Sequence, residues 1–429
     1  MQTDFSGASA DRAPPATAIV VGGGVVGLAT ALNLQLNGIA TTLFDMPGES
    51  PAASLGNAGH IAIEQVEPLA SMATIRSMPR RLFWRGGALS LPIGSIGAWL
   101  PFSMRLLAAA RPARFAAGCT ALTRALGGAM DAWRRLLGRI GAGELLLEDG
   151  HFIVWESDAS AREGRARWAA TKTGKATLRD ATPDELGELA KLTRVPIAGA
   201  VRFSGSGQIA DLNALADALA GSFAKAGGSR IEARIERLDV KGGRAVALAS
   251  DGSRHRAPAI VVTAGAASGA LLAPIGHVVP LIAERGYHIQ SADTDWPMGT
   301  PPVVFEDRSM IVTRFRSGLR AASFVEFGRI GRPADPRKWA RLRKHVAALG
   351  LSFHLPGREW MGARPTLPDY LPAIGRSRRA DNLFYAFGHQ HLGLTLAATT
   401  AEAVRALVAG EAPPFDITPF DIDRFGVRA

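Results

Sequence analysis

A chain of 429 residues exceeds what one hydrophobic core usually organises and predicts about two domains with a cleft between them. Its 47% apolar, 20% charged and 7% aromatic residues describe a globular protein and exclude a disordered or fibrous one. The net charge of +11 is scattered without long runs of one sign, so it does not point to nucleic acid. The lone Cys119 excludes a disulfide framework and a cysteine-based metal cluster, and it fits a reducing cytoplasm. No metalloprotease helix, nucleophile elbow or Walker loop appears, and no metal is expected.

Residues 1–16, rich in Ser, Ala, Asp and Pro, are expected to form a flexible tail, and they lack the charged and apolar regions of a signal peptide. Ala18, Ile19, Val20 and Val21 then read as a buried parallel strand. The strand runs into Gly22, Gly23, Gly24, Val25, Val26 and Gly27. Gly22 permits a tight turn, Gly24 lets the backbone approach a pyrophosphate, and Gly27 lets the next helix pack against the strand. That helix, residues 25–37, aims its first N–H groups, those of Val25 and Val26, at the phosphates, and Gly38 caps its far end. A second strand, residues 40–44, ends at Asp45, an acid placed to bond ribose hydroxyls and to disfavour a 2′-phosphate. Strand, glycines, helix, cap, strand and acid in this order indicate a dinucleotide. The same glycines and Asn33 and Asn37 make residues 18–36 a poor membrane span.

Three later segments favour FAD over NAD. The small, polar loop of Ser54, Asn57, Ala58, Gly59 and His60 is suited to wrapping a long cofactor. Residues 212–226 read as a helix and 231–238 as a strand, with Ile235 at the cofactor; a further strand from Ala259 ends in Thr263, Ala264 and Gly265. Near the C-terminus a strand over 383–387 meets Gly388, His389, His391, Leu392, Gly393, Leu394 and Thr395, then a long Ala-rich helix to about 409. A glycine turn before a helix offers a positive dipole end to a reduced flavin. Residues 79–115 mix Arg80, Arg81, Arg85, Arg105, Arg111 and Arg114 with Leu, Phe and Trp. This stretch suits either an anionic bilayer surface or ordinary helices packed over a cleft.

Together these motifs resemble the glycine oxidase / D-amino-acid oxidase superfamily, and within it the bacterial D-amino-acid dehydrogenases. The sharpest matches are the Gly22–Gly27 turn with Asp45, the loop from Ser54 to Gly59, Thr263 to Gly265, Arg285-Gly286-Tyr287, Arg364-Pro365, Pro372 to Gly375, and Gly388-His389. The resemblance implies an α/β plus α+β fold. A discontinuous Rossmann-like FAD domain (17–80, 200–280, 365–429) would join a mixed-sheet substrate domain (81–199, 281–364), with strands at 144–155 and 310–327 in the latter.

The resemblance also implies non-covalent FAD and Arg364 as the clamp for an amino-acid carboxylate, a role suited to its fork of donors. Tyr287 is expected either to assist at that carboxylate or to be a buried tyrosine bonded to backbone, and His60, His389 and His391 either accept a proton or shape the pocket. Arg364 and His391 are expected to touch the flavin as well. The implied reaction is oxidation of a D-amino acid with hydride transfer to flavin, mainly by positioning. Its partners are a small amino acid and a quinone or respiratory acceptor, with peripheral membrane contact left open. The loop after Ser54 points towards D-proline or D-hydroxyproline. Leu55, His391 and Leu394 depart from the broader pattern and leave the side chain open. An O2-using oxidase of glycine or sarcosine shares every motif, and a non-catalytic dinucleotide-binding or membrane-docking protein is the alternative of another class.

Overall fold

A computed structural model describes residues 14–46 and 52–426, so most of the expected tail lies outside the described residues. Thr17–Val21 is a central strand with both faces covered: Ala18 and Val20 enter one core, Ile19 and Val21 another. Continuous burial explains its unbroken apolar run. The sheet order is Ser229–Glu232, Ala40–Asp45, Thr17–Val21, Ala259–Val262, Leu383–Phe387 and Ala373–Arg376, parallel except for the last pair. Ile19 lies opposite Thr42 on one side and Ile260 on the other.

Helix Val25–Leu36 packs on one face of this sheet between Leu212–Lys225 and Gly393–Ala409. The last of these is mostly apolar because Ala129–Arg139 and Pro112–Leu126 cover its outer side, where Glu402 pairs with Arg135 at 2.8 Å. Trp133, fully buried, donates its indole N–H to the Leu394 carbonyl at 3.0 Å. By length and composition Gln390–Ala409 is apolar enough to cross a membrane, yet it is a core helix here. The opposite face carries a three-stranded antiparallel sheet, Ile235–Lys241, Arg244–Ala249 and Arg254–His255.

A larger mixed sheet forms the second layer. Its order is Arg358–Thr366, Ile282–Ser291, Gly318–Gly328, Met310–Phe315, Val303–Phe305, His151–Trp155, Gly199–Ser204 and Thr177–Asp180. Helix Pro336–Leu349 covers one face of it. Between helix and sheet lies a buried charge network: Arg285 donates to Glu326 at 2.6 Å, and Lys338 bonds both Glu326 and Asp335.

Several expected boundaries shift. Residues 231–238 are two elements, because the chain leaves the nucleotide sheet after Glu232 and starts the antiparallel sheet at Ile235. Residues 310–327 are a hairpin of two strands that turns before Gly318. Residues 144–155 divide into a short turn, Leu146–Leu147 in a small separate sheet, and His151–Trp155. Residues 200–204, placed by the sequence in the nucleotide unit, lie in strand Gly199–Ser204, which pairs with His151–Trp155 in the large sheet. Helices Pro112–Leu126 and Ala129–Arg139, placed with the substrate unit, pack on the C-terminal core helix.

Leu32 is fully buried in the core between helix and sheet. Leu32→Ala should therefore lower stability by about 2–5 kcal/mol, read as a lower midpoint in urea unfolding of the protein.

Candidate active site

The C-terminal ends of Thr17–Val21 and Ala259–Val262 meet at a close backbone approach. Gly22 has φ +105°, and a Cβ there would sit 2.7 Å from the Ala264 Cα. At Gly27 a Cβ would lie 1.8 Å from the Gly22 carbonyl oxygen, so only glycine lets the helix start this close to the strand. Thr263 secures the junction by donating its hydroxyl towards the Val21 and Gly22 carbonyls, each at 2.9 Å. The Ser54 hydroxyl accepts the Val25 N–H at 3.0 Å, at the start of the helix. Asp45 accepts the Gly23 N–H at 2.9 Å through one oxygen and Arg230 at 2.9 Å through the other.

A cavity of about 1220 Å³ opens beside this turn and runs between the two layers. Its wall includes Gly22, Gly24, Val25, Val26, Asp45, Ser54, Asn57, Ala58, Ile235, Thr263, Ala264 and Gly265 at one end. His60, Tyr287, Arg364, His389, His391, Gly393 and Leu394 line the rest. Gly27, Gly59, Gly388, Leu392 and Thr395, also expected at the cofactor, are not part of the wall and support it from behind. Gly59 has φ +78° and abuts the Phe315 ring, Gly388 has φ +78° beside Leu367, and Leu392 is buried in the core. The Thr395 hydroxyl accepts the Ala62 N–H at 2.9 Å.

The loop from Ser54 to Gly59 is held by groups of the large sheet that the sequence reading did not single out. Arg320 donates to the Leu55 and Asn57 carbonyls, Thr313 to the Ala58 carbonyl at 2.7 Å, and His288 contacts the Gly56 carbonyl at 3.2 Å. Trp360 stacks on His288 and leaves no space for a Cβ at Gly56. The period of two along a strand was the available signal: Glu284, Gly286 and His288 share one face of Ile282–Ser291, Arg285 and Tyr287 the other.

That alternation separates two expected partners. Arg364 lies on the cavity side, where it donates to Glu284 at 3.2 Å and to the Phe324 carbonyl at 3.3 Å. The second oxygen of buried Glu284 accepts the Thr366 and Tyr370 hydroxyls at 3.1 and 3.2 Å. The guanidinium crosses Gly286, where a Cβ would meet it at 2.2 Å. Tyr287 borders the cavity, but its hydroxyl bonds Glu326 at 3.3 Å and accepts the Asp335 N–H at 3.2 Å. Its hydroxyl is therefore committed to the buried charge network and not offered to a substrate carboxylate. Burial raises its pKa to about 12.

Burial also holds the histidines neutral. His389, bonded to Thr400 at 3.0 Å, is lowered to about 3. His391 reaches about 3, first through burial and then through the charge of Arg364, and its Nε2 bonds Gln65. His60 falls to about 4, packs against His151 with the rings tilted by 55°, and lies 3.7 Å from Glu64. His60 Nε2 and Glu64 Oε2 are buried without a hydrogen-bond partner, and both residues line the cavity. Glu64, absent from the sequence expectations although it interrupts an apolar segment, is raised to about 8 by burial.

The glycine cradle, the helix N-terminus beside it and a cavity larger than a small substrate alone requires fit FAD. The family model described as "DAO: FAD dependent oxidoreductase" matches residues 17–407. A D-amino-acid oxidase of Bradyrhizobium diazoefficiens is 31% identical over 420 residues, spanning 95% of this chain and 98% of that protein. A D-amino acid dehydrogenase of Cereibacter sphaeroides is 28% identical over 418 residues, 95% of each chain. The crystal structure of glycine oxidase from Geobacillus kaustophilus superposes with a TM-score of 0.70 at 21% identity, covering 96% of this chain and 99% of that one. The chain belongs to the DAO family of FAD-dependent oxidoreductases, and it is an FAD enzyme.

Two outcomes follow. Gly27→Ala should yield protein largely free of FAD, seen as loss of flavin absorbance relative to protein absorbance after purification. Folding raises the pKa of Glu64 from 4.5 to about 8, so the unfolded chain binds fewer protons in that window. The contribution of Glu64 to stability is thus greatest below pH 4.5 and falls as pH rises towards 8. Glu64→Gln removes this loss, and thermal unfolding should show it gaining stability over the parent at pH 8 relative to pH 5.

Proposed function

We propose that this enzyme catalyses oxidative deamination of a D-amino acid, with D-proline or a hydroxyproline-like ring favoured, and passes the electrons to a quinone or other respiratory acceptor. The observation that carries the reading is Arg364, set in the cavity wall and oriented by buried Glu284. A guanidinium fixed in this way binds a carboxylate through two parallel hydrogen bonds. Glu284 is itself saturated by Thr366 and Tyr370, so it keeps Arg364 pointed without drifting into the site.

Ala363 and Phe324, cavity residues on the strands around Arg364, and nearby Ala322 and Met310 give an apolar wall that suits a small hydrophobic ring. FAD, when bound, supplies the electron sink for the Cα hydride. Gly22, Gly24, Val25, Val26, Asp45 and Ser54 would hold its nucleotide half, and Ala58, Gly393 and Leu394 lie farther along the wall. The substrate amine must be neutral before its Cα hydrogen leaves. Neutral His60 and His391 line the wall; with pKa values held at about 4 and about 3 they are weak bases that shape the pocket, and the substrate binds as its neutral amine. The resulting imine takes up water to give a 2-oxo acid and ammonia or, from a cyclic amine, a ring-opened amino 2-oxo acid.

Similarity to relatives named dehydrogenases supports the respiratory acceptor. The 31% identity to a protein named an oxidase favours a second reading, in which O2 reoxidises the flavin. Reoxidation of substrate-reduced enzyme in air-saturated buffer, compared with a quinone, separates the two. Arg364→Met should lower kcat/KM for D-proline by about a hundredfold, the value of one charged hydrogen-bonded contact, mostly through KM. Unchanged kinetics with every D-amino acid tried would remove the clamp from the account.

A further inference from the structure

The segment rich in arginine and aromatic residues is not absorbed by the reaction. Helix Ile96–Ala109 buries Phe102, Leu106 and Ala109 against Ile282, Phe327 and Tyr370. Its other face is also apolar: Ile96, Leu100, Met104 and Leu107 are 47–65% exposed, and Ile93 just before it is 86% exposed. The spacing of three and four residues places them in one stripe along the helix. Trp84, 72% exposed, belongs to the strap that precedes it.

The charge around this stripe has one sign. No Asp or Glu occurs between Glu67 and Asp131, while Arg76, Arg80, Arg81, Arg85, Arg105, Arg111, Arg114 and Arg124 do. All eight are exposed, and among the described residues only Arg124 has a carboxylate within ion-pair distance, Asp416 at 3.6 Å. Arg329 and Arg332 add to the same side, where they approach Gly97 and Gly94. An apolar row flanked by long cationic side chains matches the boundary between acyl chains and anionic headgroups.

We propose that this face is a docking surface for an anionic lipid bilayer. The helix lies in the plane of the interface with Ile93, Ile96, Leu100, Met104 and Leu107 among the acyl chains and the arginines at the phosphates. A second copy of the chain fits less well, since a twofold contact sets the same arginines against one another. The docking face also borders the active-site opening: Arg81 and Ile330 are exposed and form part of the cavity wall. A bilayer seated here lies beside that opening. The proposal stands whichever amino acid the enzyme oxidises.

The test is flotation of the FAD-loaded, full-length protein with vesicles rich in phosphatidylglycerol or made of phosphatidylcholine alone. Partitioning should favour the anionic vesicles by about tenfold or more. Two triple variants, Leu100→Ser/Met104→Ser/Leu107→Ser and Arg105→Glu/Arg111→Glu/Arg114→Glu, should each lose that partitioning and retain turnover with a water-soluble dye. Retained dye turnover shows that a loss of binding is not a loss of folding. Equal partitioning of the parent into both vesicle types overturns the proposal, as does undiminished binding by both variants. A stable dimer by light scattering that the serine variant dissociates also overturns it, in favour of self-association.

Discussion

The close crossing of two backbones at the C-terminal edge of the parallel sheet is the constraint on which the remaining geometry depends. Gly22 and Gly27 leave no room for a side chain, and Thr263 ties the end of one strand to the end of the other. This crossing fixes where helix Val25–Leu36 begins, and so where its first N–H groups point. It also sets the spacing between the helices that flank it, because Val25–Leu36 packs against both Leu212–Lys225 and Gly393–Ala409. One end of the cavity is thereby positioned before any polar side chain is considered.

The other end is built by the second layer. Strands Ile282–Ser291, Gly318–Gly328 and Arg358–Thr366 use their alternation to divide charges between two faces. One face sends Arg285 and Tyr287 into a charge-paired network under helix Pro336–Leu349. The other offers Arg364 to the cavity, while Arg320, Thr313, His288 and Trp360 hold the loop from Ser54 to Gly59. The loop itself has few internal hydrogen bonds, and its shape is dictated by the sheet across from it. Burial then keeps His60, His389 and His391 neutral, so Arg364 is the cation among these wall residues.

Local patterns carried much of this information. The strand, glycine turn, helix and Asp45 occur within one short stretch, and each is recognisable from neighbouring residues alone. Arg364 was legible only through resemblance, because one arginine among many has no local signature. Glu284 and Arg320 were not legible at all: their partners are 80 residues away at Arg364 and 265 away at Leu55. Tyr287 was open to two readings, and the structure takes the buried one, with its hydroxyl bonded to backbone. It stands in the expected motif, but the face its side chain takes depends on strand register, which pairs it with Met361 and Ser323. The domain limits shifted for a related reason, since Gly199–Ser204 joins whichever sheet offers it hydrogen bonds.

The two layers together make a pocket in which Arg364 is the proposed anchor for a carboxylate, with neutral His60 and His391 in its wall. The central claim is that the bound flavin is reduced by a D-amino acid held in this way. The direct measurement is anaerobic titration of the purified yellow protein with the D and L forms of proline and other amino acids, followed by visible absorbance. The account predicts that the flavin band bleaches with D-proline or another D-amino acid and not with the corresponding L form. A band that persists with every D-amino acid, or that bleaches only with L forms, would contradict it.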